Sequence, residues 1–229
     1  MFNYIYIFTI ICLIYLLYKY QKENFNIKLT NKDKIKLMQC MLALHETFDK
    51  YKVWYNIAFG TLLGAVRHRN IIPYDDDIDI LINLSDLDKI NLVLRDMKKL
   101  GYKIEKTWRL FRVYSDDIHF IDLFTIDNID GKIQRCYTDN PQECLTNNKT
   151  EIMWFKEFGF NSKYLGSSKK YPLGGLWLNG PEHPFELLKH WYGNDFLTMC
   201  KSPQFVEHSN TPAKVLTKKC ENLPKPYFP

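Results

Sequence analysis

The six cysteines of this 229-residue chain form no CxxC pair and no cysteine–histidine pair at zinc-ligand spacing, so no zinc module can be read from them. No internal repeat is visible, which argues against a repeat architecture. The 31 lysines and arginines do not gather into a stripe, so no nucleic-acid track is expected. The net charge of +5 suits a phosphate-bearing partner, an anionic membrane surface or a solvated exterior equally well. Nor is there a bias toward disorder. With 46% apolar and 25% charged residues the balance is that of a globular chain. Its length suits one good-sized domain plus an appendage, or two small domains, and 15% aromatic residues point to a core rich in rings.

What the cysteines do instead is left open by their positions. Cys12 lies in the apolar N-terminus, Cys40 on a helical apolar face, Cys136 and Cys144 in a polar stretch, and Cys200 and Cys220 near the C-terminus. Free thiols in a reduced compartment are the leading expectation; a Cys136–Cys144 bridge or a metal clip in that stretch is the alternative.

Phe2 to Tyr18 is apolar apart from Asn3, Thr9 and the tyrosines, and Lys19, Lys22 and Lys28 follow it. Such a run is at the short end of a bilayer span, with tyrosines where an interfacial belt would need them. It lacks the basic leading region and small-residue cleavage site of a signal peptide. A retained single-pass membrane helix is therefore expected over 1–20, with a cleaved signal peptide or a buried helix as rivals. Lysines after the span favour a cytosolic domain. The sequons Asn83-Leu84-Ser85 and Asn148-Lys149-Thr150 are usable only on the lumenal side, so the side stays open.

Beyond a linker at 21–30, Thr30 and Asp33 read as a capping box. Behind it Ile35, Met38, Met41, Leu42, His45 and Phe48 recur at helical spacing, predicting an amphipathic helix over 31–51. His45 on that stripe reads as a core histidine. Val53–Phe59 reads as a strand ending at Gly60, Leu62–His68 as a short helix, and Asp77–Ile82 as a strand after Pro73. Ser85 and Asp88 suggest a second capping box, opening a helix that Gly101 stops. Trp108–Tyr114 and Ile118–Ile126 read as a hairpin around Ser115-Asp116-Asp117. Asp127–Thr150 reads as a long polar loop, Leu176–Leu178 as a short strand, Pro184–Tyr192 as a helix stopped by Gly193, and 204–229 as an extended tail.

The informative stretch is "GTLLGAVRHRNIIPYDDDIDI", Gly60 to Ile80. Side chains alternate along a strand, so Asp77 and Asp79 share one face, roughly 7 Å apart, while Ile78 and Ile80 bury the other. Like charges that close repel, and a divalent cation with a preference for hard oxygen ligands, Mg²⁺ or Mn²⁺, relieves them. Downstream, in "IHFIDLFTI", Asp122 stands alone in an apolar run. A buried carboxylate needs a partner: a metal shared with Asp77 and Asp79, or a salt bridge to Arg109 or Arg112 across the hairpin. Upstream, Gly60-Thr61 opens a helix whose free N–H groups suit an anion, with the glycine allowing close approach. Arg67 and His68 either touch a phosphate or form a solvated helix end. A phosphate cradle, a metal pair and a third aspartate together suggest metal-assisted transfer on phosphates.

This stretch closely resembles the signature of the LicD family, which includes bacterial phosphocholine transferases and fukutin-related proteins. The likeness continues in "HFIDLFTID" and in "YPLGGLWLNGPEHPFELLKHWYGNDFLTMCKSP" with its "YG" at a helix end, covering roughly Lys34 to Pro203. The resemblance implies an α+β fold, a nucleotidyltransferase-like mixed sheet flanked by helices over 31–203, with the catalytic carboxylates on adjacent strands. It also implies transfer of a phosphorylated alcohol (phosphocholine, or a polyol phosphate such as ribitol phosphate) from a CDP-linked donor to a glycan or glycoprotein. By position Asp77 and Asp79 match the metal pair, Asp122 the third carboxylate, and Gly60 and Thr61 the donor-phosphate turn. Tyr74 stands where many relatives have tryptophan.

Two other functions compete. A nucleotidyltransferase using free NTPs needs the same carboxylates. A non-catalytic, membrane-anchored glycan-binding relative would be marked by loss of a carboxylate, and all three are present.

Overall fold

Thr30 begins the first helix as expected: its hydroxyl accepts from Asp33 N at 3.2 Å, and its own N–H donates to the Asp33 carboxylate at 3.1 Å. The computed structural model describes residues 10–11, 29–107, 110–136, 159–202 and 215–229. Apart from residues 10–11, the apolar N-terminal stretch therefore lies outside the described residues, as do Trp108, Arg109, 137–158 and 203–214. Among those described, no helix is long and apolar enough to cross a membrane.

Helix α1 (Asn31–Tyr51) buries Leu37, Cys40, Met41, Leu44 and Phe48. Ile35 and Leu42, expected on that stripe, are exposed; the face runs instead through Leu37 and Leu44, a cleaner 3.6-residue repeat. His45 accepts or donates at Nδ1 with the Tyr55 hydroxyl at 2.9 Å, a core contact as read. Strand β1 (Tyr55–Ile57) leads into α2 (Phe59–Arg67), which starts three residues before the expected Leu62. Next come β2 (Ile78–Asn83), a 3₁₀ turn (Leu84–Asp86) and α3 (Leu87–Lys99). The Ser85 capping box does not form: the turn shifts the N-cap to Asp86, whose carboxylate instead accepts from Trp54 N and Lys89.

The remaining strands are β3 (Lys103–Lys106), β4 (Phe111–Tyr114), β5 (Phe120–Ile129), β6 (Lys132–Arg135) and β7 (Phe160–Asn161). Together with β1 and β2 they make one mixed sheet ordered β1-β2-β5-β4-β3. β5 is long enough to pair with β4 through its first half and β6 through its second, both on the edge opposite β2. Its length corrects the loop expected from Asp127. Asp130 and Gly131 both have positive φ, 51° and 79°, and join β5 to β6 as a two-residue hairpin of the primed type. The Ile-Asp-Gly signal was present and was overridden by the polar composition around it.

A separate ribbon, β8 (Lys169–Leu173) with β9 (Leu176–Gly180), packs on β1 and α2. β8 escaped sequence reading because Pro172 sits inside it, tolerated in a two-stranded ribbon with a free edge. Helix α4 (Pro184–Tyr192) follows, then β10 (Met199–Lys201) paired with β11 (Thr217–Lys219). Cys200 and Cys220 form a disulfide across that pair, and Cys136 is also disulfide-bonded. The expectation of free thiols fails at these three positions. It holds for Cys40, whose buried thiol is pushed up to about 12. The C-terminal residues run extended but dock on the domain: Tyr227 N–H donates to Val66 O at 2.9 Å.

Candidate active site

Pairing register assembles the site. β2 and β5 run parallel with Asp79 opposite Asp122, and β4 runs antiparallel to β5 with Arg112 opposite Asp122. Paired residues project to the same side of a sheet, so one rung across three strands reads Asp79, Asp122, Arg112. Asp77 precedes β2 by one residue. One oxygen from each of Asp77, Asp79 and Asp122 lies within 4.8 Å of the others, and Asp75, Asp76 and Asp77 form a second such group. Asp77 belongs to both.

Of the two partners considered for Asp122, the salt bridge to Arg112 is in place. Arg112 Nε and Nη2 donate to its two oxygens at 2.6 and 2.8 Å, a bidentate pair, and the carboxylate is also part of the acidic cluster. The Arg112 guanidinium lies 3.7 Å from the Phe120 ring centroid. Burial works against its charge, but the Asp122 carboxylate outweighs that and raises its pKa.

The remaining carboxylates are not balanced. Burial first, and then Asp79, Asp75, Asp122 and Asp76, push Asp77 well above the ordinary aspartate range. For Asp79 the causes are burial, then Asp122 and Asp75, with Arg112 and Arg135 opposing them. A protein without a cation can hold these oxygens together only by keeping protons on them. Three close-set, partly open carboxylate oxygens with excess negative charge fit a hard divalent cation.

Gly60 lies in the first turn of α2, where a Cβ would run into the Asp75 carboxylate and displace it; glycine leaves that carboxylate where it is. Thr61 Oγ1 accepts from the Asp79 backbone N–H at 2.8 Å, and Ala58 N–H donates to Asp79 O at 3.0 Å. The helix start thus grips the Asp79 main chain from both sides. Arg67 is not a solvated helix end: it is 1% exposed and donates from Nη1 to Phe196 O (2.7 Å) and Met199 O (3.1 Å) and from Nη2 to the Tyr74 hydroxyl (3.3 Å). His68 Nδ1 accepts from Arg67 Nε at 3.4 Å, and burial together with Arg67 lowers its pKa to about 4.

Sequence reasoning missed two residues. Arg135, 6% exposed, pairs opposite Ile126 and stacks 4.7 Å from the Phe124 centroid, so it shares the Asp122 face and acts on Asp79. The Asp130-Gly131 turn would have revealed it, because that turn fixes which face Arg135 takes. Tyr192 ends α4; burial first, then Asp79, Asp75 and Asp77, raise its phenol well above the usual range. Its signal was the "YG" at the helix end.

The family model described as LicD/FKTN/FKRP, nucleotidyltransferase domain, matches residues 52–183. Two uncharacterised rickettsial proteins are similar. The one from Rickettsia typhi is 30% identical over 72% of this chain and 48% of its own length, and that from Rickettsia prowazekii 31% identical over 72% and 57%. This chain thus spans about half the length of those relatives. The lipopolysaccharide cholinephosphotransferase LicD of Haemophilus influenzae is 40% identical over 45 residues, 20% of this chain and 17% of that protein. Among solved structures, the lincosamide antibiotic adenylyltransferase LnuA has a TM-score of 0.39 at 17% identity, covering 67% of this chain and 80% of that one. The antibiotic-resistance factor ANT(2'')-Ia has a TM-score of 0.42 at 13% identity, covering 72% and 83%.

Proposed function

The chain belongs to the LicD/FKTN/FKRP nucleotidyltransferase-domain family, and from that premise we propose that it moves a phosphorylated alcohol from a CDP-linked donor to a glycan hydroxyl. The reading is carried by one observation: Asp77, Asp79 and Asp122 converge within 4.8 Å, beside a helix start where Gly60 lies against the Asp75 carboxylate. Phosphocholine is the first candidate for the transferred group, because the Haemophilus relative is a cholinephosphotransferase; a polyol phosphate is the second.

In this reading Asp77, Asp79 and Asp122 hold Mg²⁺ or Mn²⁺. Bound there, the ion would supply charge neutralisation for the donor diphosphate. Arg112 keeps Asp122 oriented through both of its oxygens. Arg135 adds positive charge on the same face. The acceptor hydroxyl forms the new O–P bond, the P–O bond to CMP breaks, and CMP leaves with the electron pair. The hydroxyl proton passes to a carboxylate oxygen of Asp77 or Asp79, while Arg112 holds Asp122 in one orientation and leaves a second lone pair on each of its oxygens for the ion. Membrane attachment through the N-terminal apolar stretch is part of the proposal. The Cys200–Cys220 disulfide supports placing the domain on an oxidising side, against the lysines that follow the stretch.

The test is a donor screen with Mn²⁺ and a glycan acceptor, identifying the released nucleotide. CMP from a CDP-alcohol, abolished in a folded Asp79→Ala variant, is the expected result. Full activity in Asp79→Ala, or pyrophosphate from CTP with CDP-alcohols inert, overturns the reading.

A further inference from the structure

The acidic run is tied to the far end of the chain by an unbroken series of hydrogen bonds. Tyr74 directly precedes Asp75, and its hydroxyl accepts from Arg67 Nη2. Arg67 is fully buried and fixed on its other side by the Phe196 and Met199 carbonyls. Neutral His68 takes its Nε hydrogen. Met199 begins β10, and its neighbour Cys200 is bonded to Cys220 after β11. Cys220 N–H donates to Thr198 O at 2.8 Å, and Ser202 N–H to Leu216 O at 2.8 Å. From there the chain returns to the same helix end, where Tyr227 N–H meets Val66 O, one residue before Arg67.

Met199, one of Arg67's two acceptors, begins a ribbon of only three residues a strand, and Phe196, the other, lies three residues before it. A two-stranded ribbon of that length is marginal by itself, so a covalent link across it decides whether the Met199 carbonyl stays presented beside that of Phe196. A buried guanidinium that loses its acceptors does not stay where it was, because unpaired buried charge is costly.

We propose that Arg67 is a positioning residue for the Tyr74–Asp77 segment and that the Cys200–Cys220 disulfide holds it in that role, making the geometry of the acidic site depend on an oxidised C-terminal ribbon. Reduction by an external dithiol delivers two electrons and two protons to the sulfurs, giving two thiols, and the reductant leaves as its own disulfide. The Phe196 and Met199 carbonyls then lose their fixed spacing, Arg67 shifts, and Tyr74 no longer anchors the acidic run. The consequence for catalysis rests on the function proposed above; the positioning itself rests on the hydrogen bonds alone.

Hydrogen exchange read by mass spectrometry on the full chain separates the two. It is run on oxidised protein, on protein reduced with dithiothreitol, and on the Cys200→Ser/Cys220→Ser variant, which leaves the Cys136 bridge intact. Exchange in 72–77 should rise severalfold in both treated forms together with 196–201, while α1 and α3 stay protected. Oxidised Arg67→Lys should show the 72–77 rise without one at 215–220. Mn²⁺ affinity should fall severalfold in parallel and return on reoxidation of the reduced wild type. Unchanged exchange at 72–77, or a uniform rise that includes α1, overturns the proposal, the latter making the disulfide a general staple. Wild-type protein that binds no Mn²⁺ sinks the metal reading instead, and the 72–77 response still decides this one.

Discussion

Arg112 on β4 grips Asp122 on β5 through two hydrogen bonds of 2.6 and 2.8 Å, and the same carboxylate lies within 4.8 Å of Asp77 and Asp79. The carboxylate is buried and the guanidinium half-buried, and such a pair is costly to break from the arginine side. Arg112→Met leaves Asp122 without its cation and should destabilise the metal-free protein by about 3–5 kcal/mol, measured by denaturant melts. Adding Mn²⁺ should restore part of the loss, since a cation then takes over the balance. A loss that Mn²⁺ does not touch would separate Asp122 from the metal cluster.

Thr61 offers a sharper local test. Its hydroxyl is the acceptor for Asp79 N–H at a position where water does not substitute, as Thr61 is 4% exposed. Thr61→Val keeps the shape and orphans that amide, for an expected cost of about 1–3 kcal/mol, whereas Thr61→Ser should keep most of the stability. Equal losses in the two variants would mean that the threonine methyl, rather than the hydroxyl, matters.

Gly60→Ala should disturb the site more than the fold. An alanine helps a helix by roughly 1 kcal/mol, yet its Cβ collides with the Asp75 carboxylate. The expected result is a small change in melting temperature with a clear loss of transfer, relieved when Asp75→Ala is added. An additive double variant would contradict the contact.

Asp77 and Asp79 set a pH dependence with a definite sign. Their folded pKa values are raised above the 3.8 of the free side chain. Their contribution to stability is therefore fully present below 3.8 and is lost as pH rises through the folded values. In chelator, the difference in stability between Asp77→Asn/Asp79→Asn protein and wild type should grow in favour of the variant from pH 3.8 toward neutrality. Divalent cation should reverse it. A flat difference would mean that the two carboxylates do not repel as their spacing implies.

Much of the architecture was legible because it rests on local rules. The capping box at Thr30, the hairpin at Ser115–Asp117 and the Pro184–Tyr192 helix each follow from a few neighbouring residues. What sequence could not give was register. Nothing in "DDDIDI" or "HFIDLF" says that Asp79 and Asp122 share a rung, because that depends on how strands some forty residues apart pair; the Arg112 partner of Asp122 was one of two arginines the local hairpin offered. The same limit hid the buried state of Arg67, whose acceptors lie some 130 positions away. Where local signals conflicted, the turn won at Asp130-Gly131 and helix phase won over Ile35 and Leu42.

Titration of the chelator-stripped protein with Mn²⁺ at neutral pH, followed by the loss of the free-ion electron paramagnetic resonance signal, bears most directly on the central claim. Saturable binding by wild-type protein, lost in both Asp79→Asn and Asp122→Asn variants that remain folded, is what the convergence of these strands requires. Wild-type protein that leaves the Mn²⁺ signal untouched, or variants that bind as tightly as wild type, would contradict it.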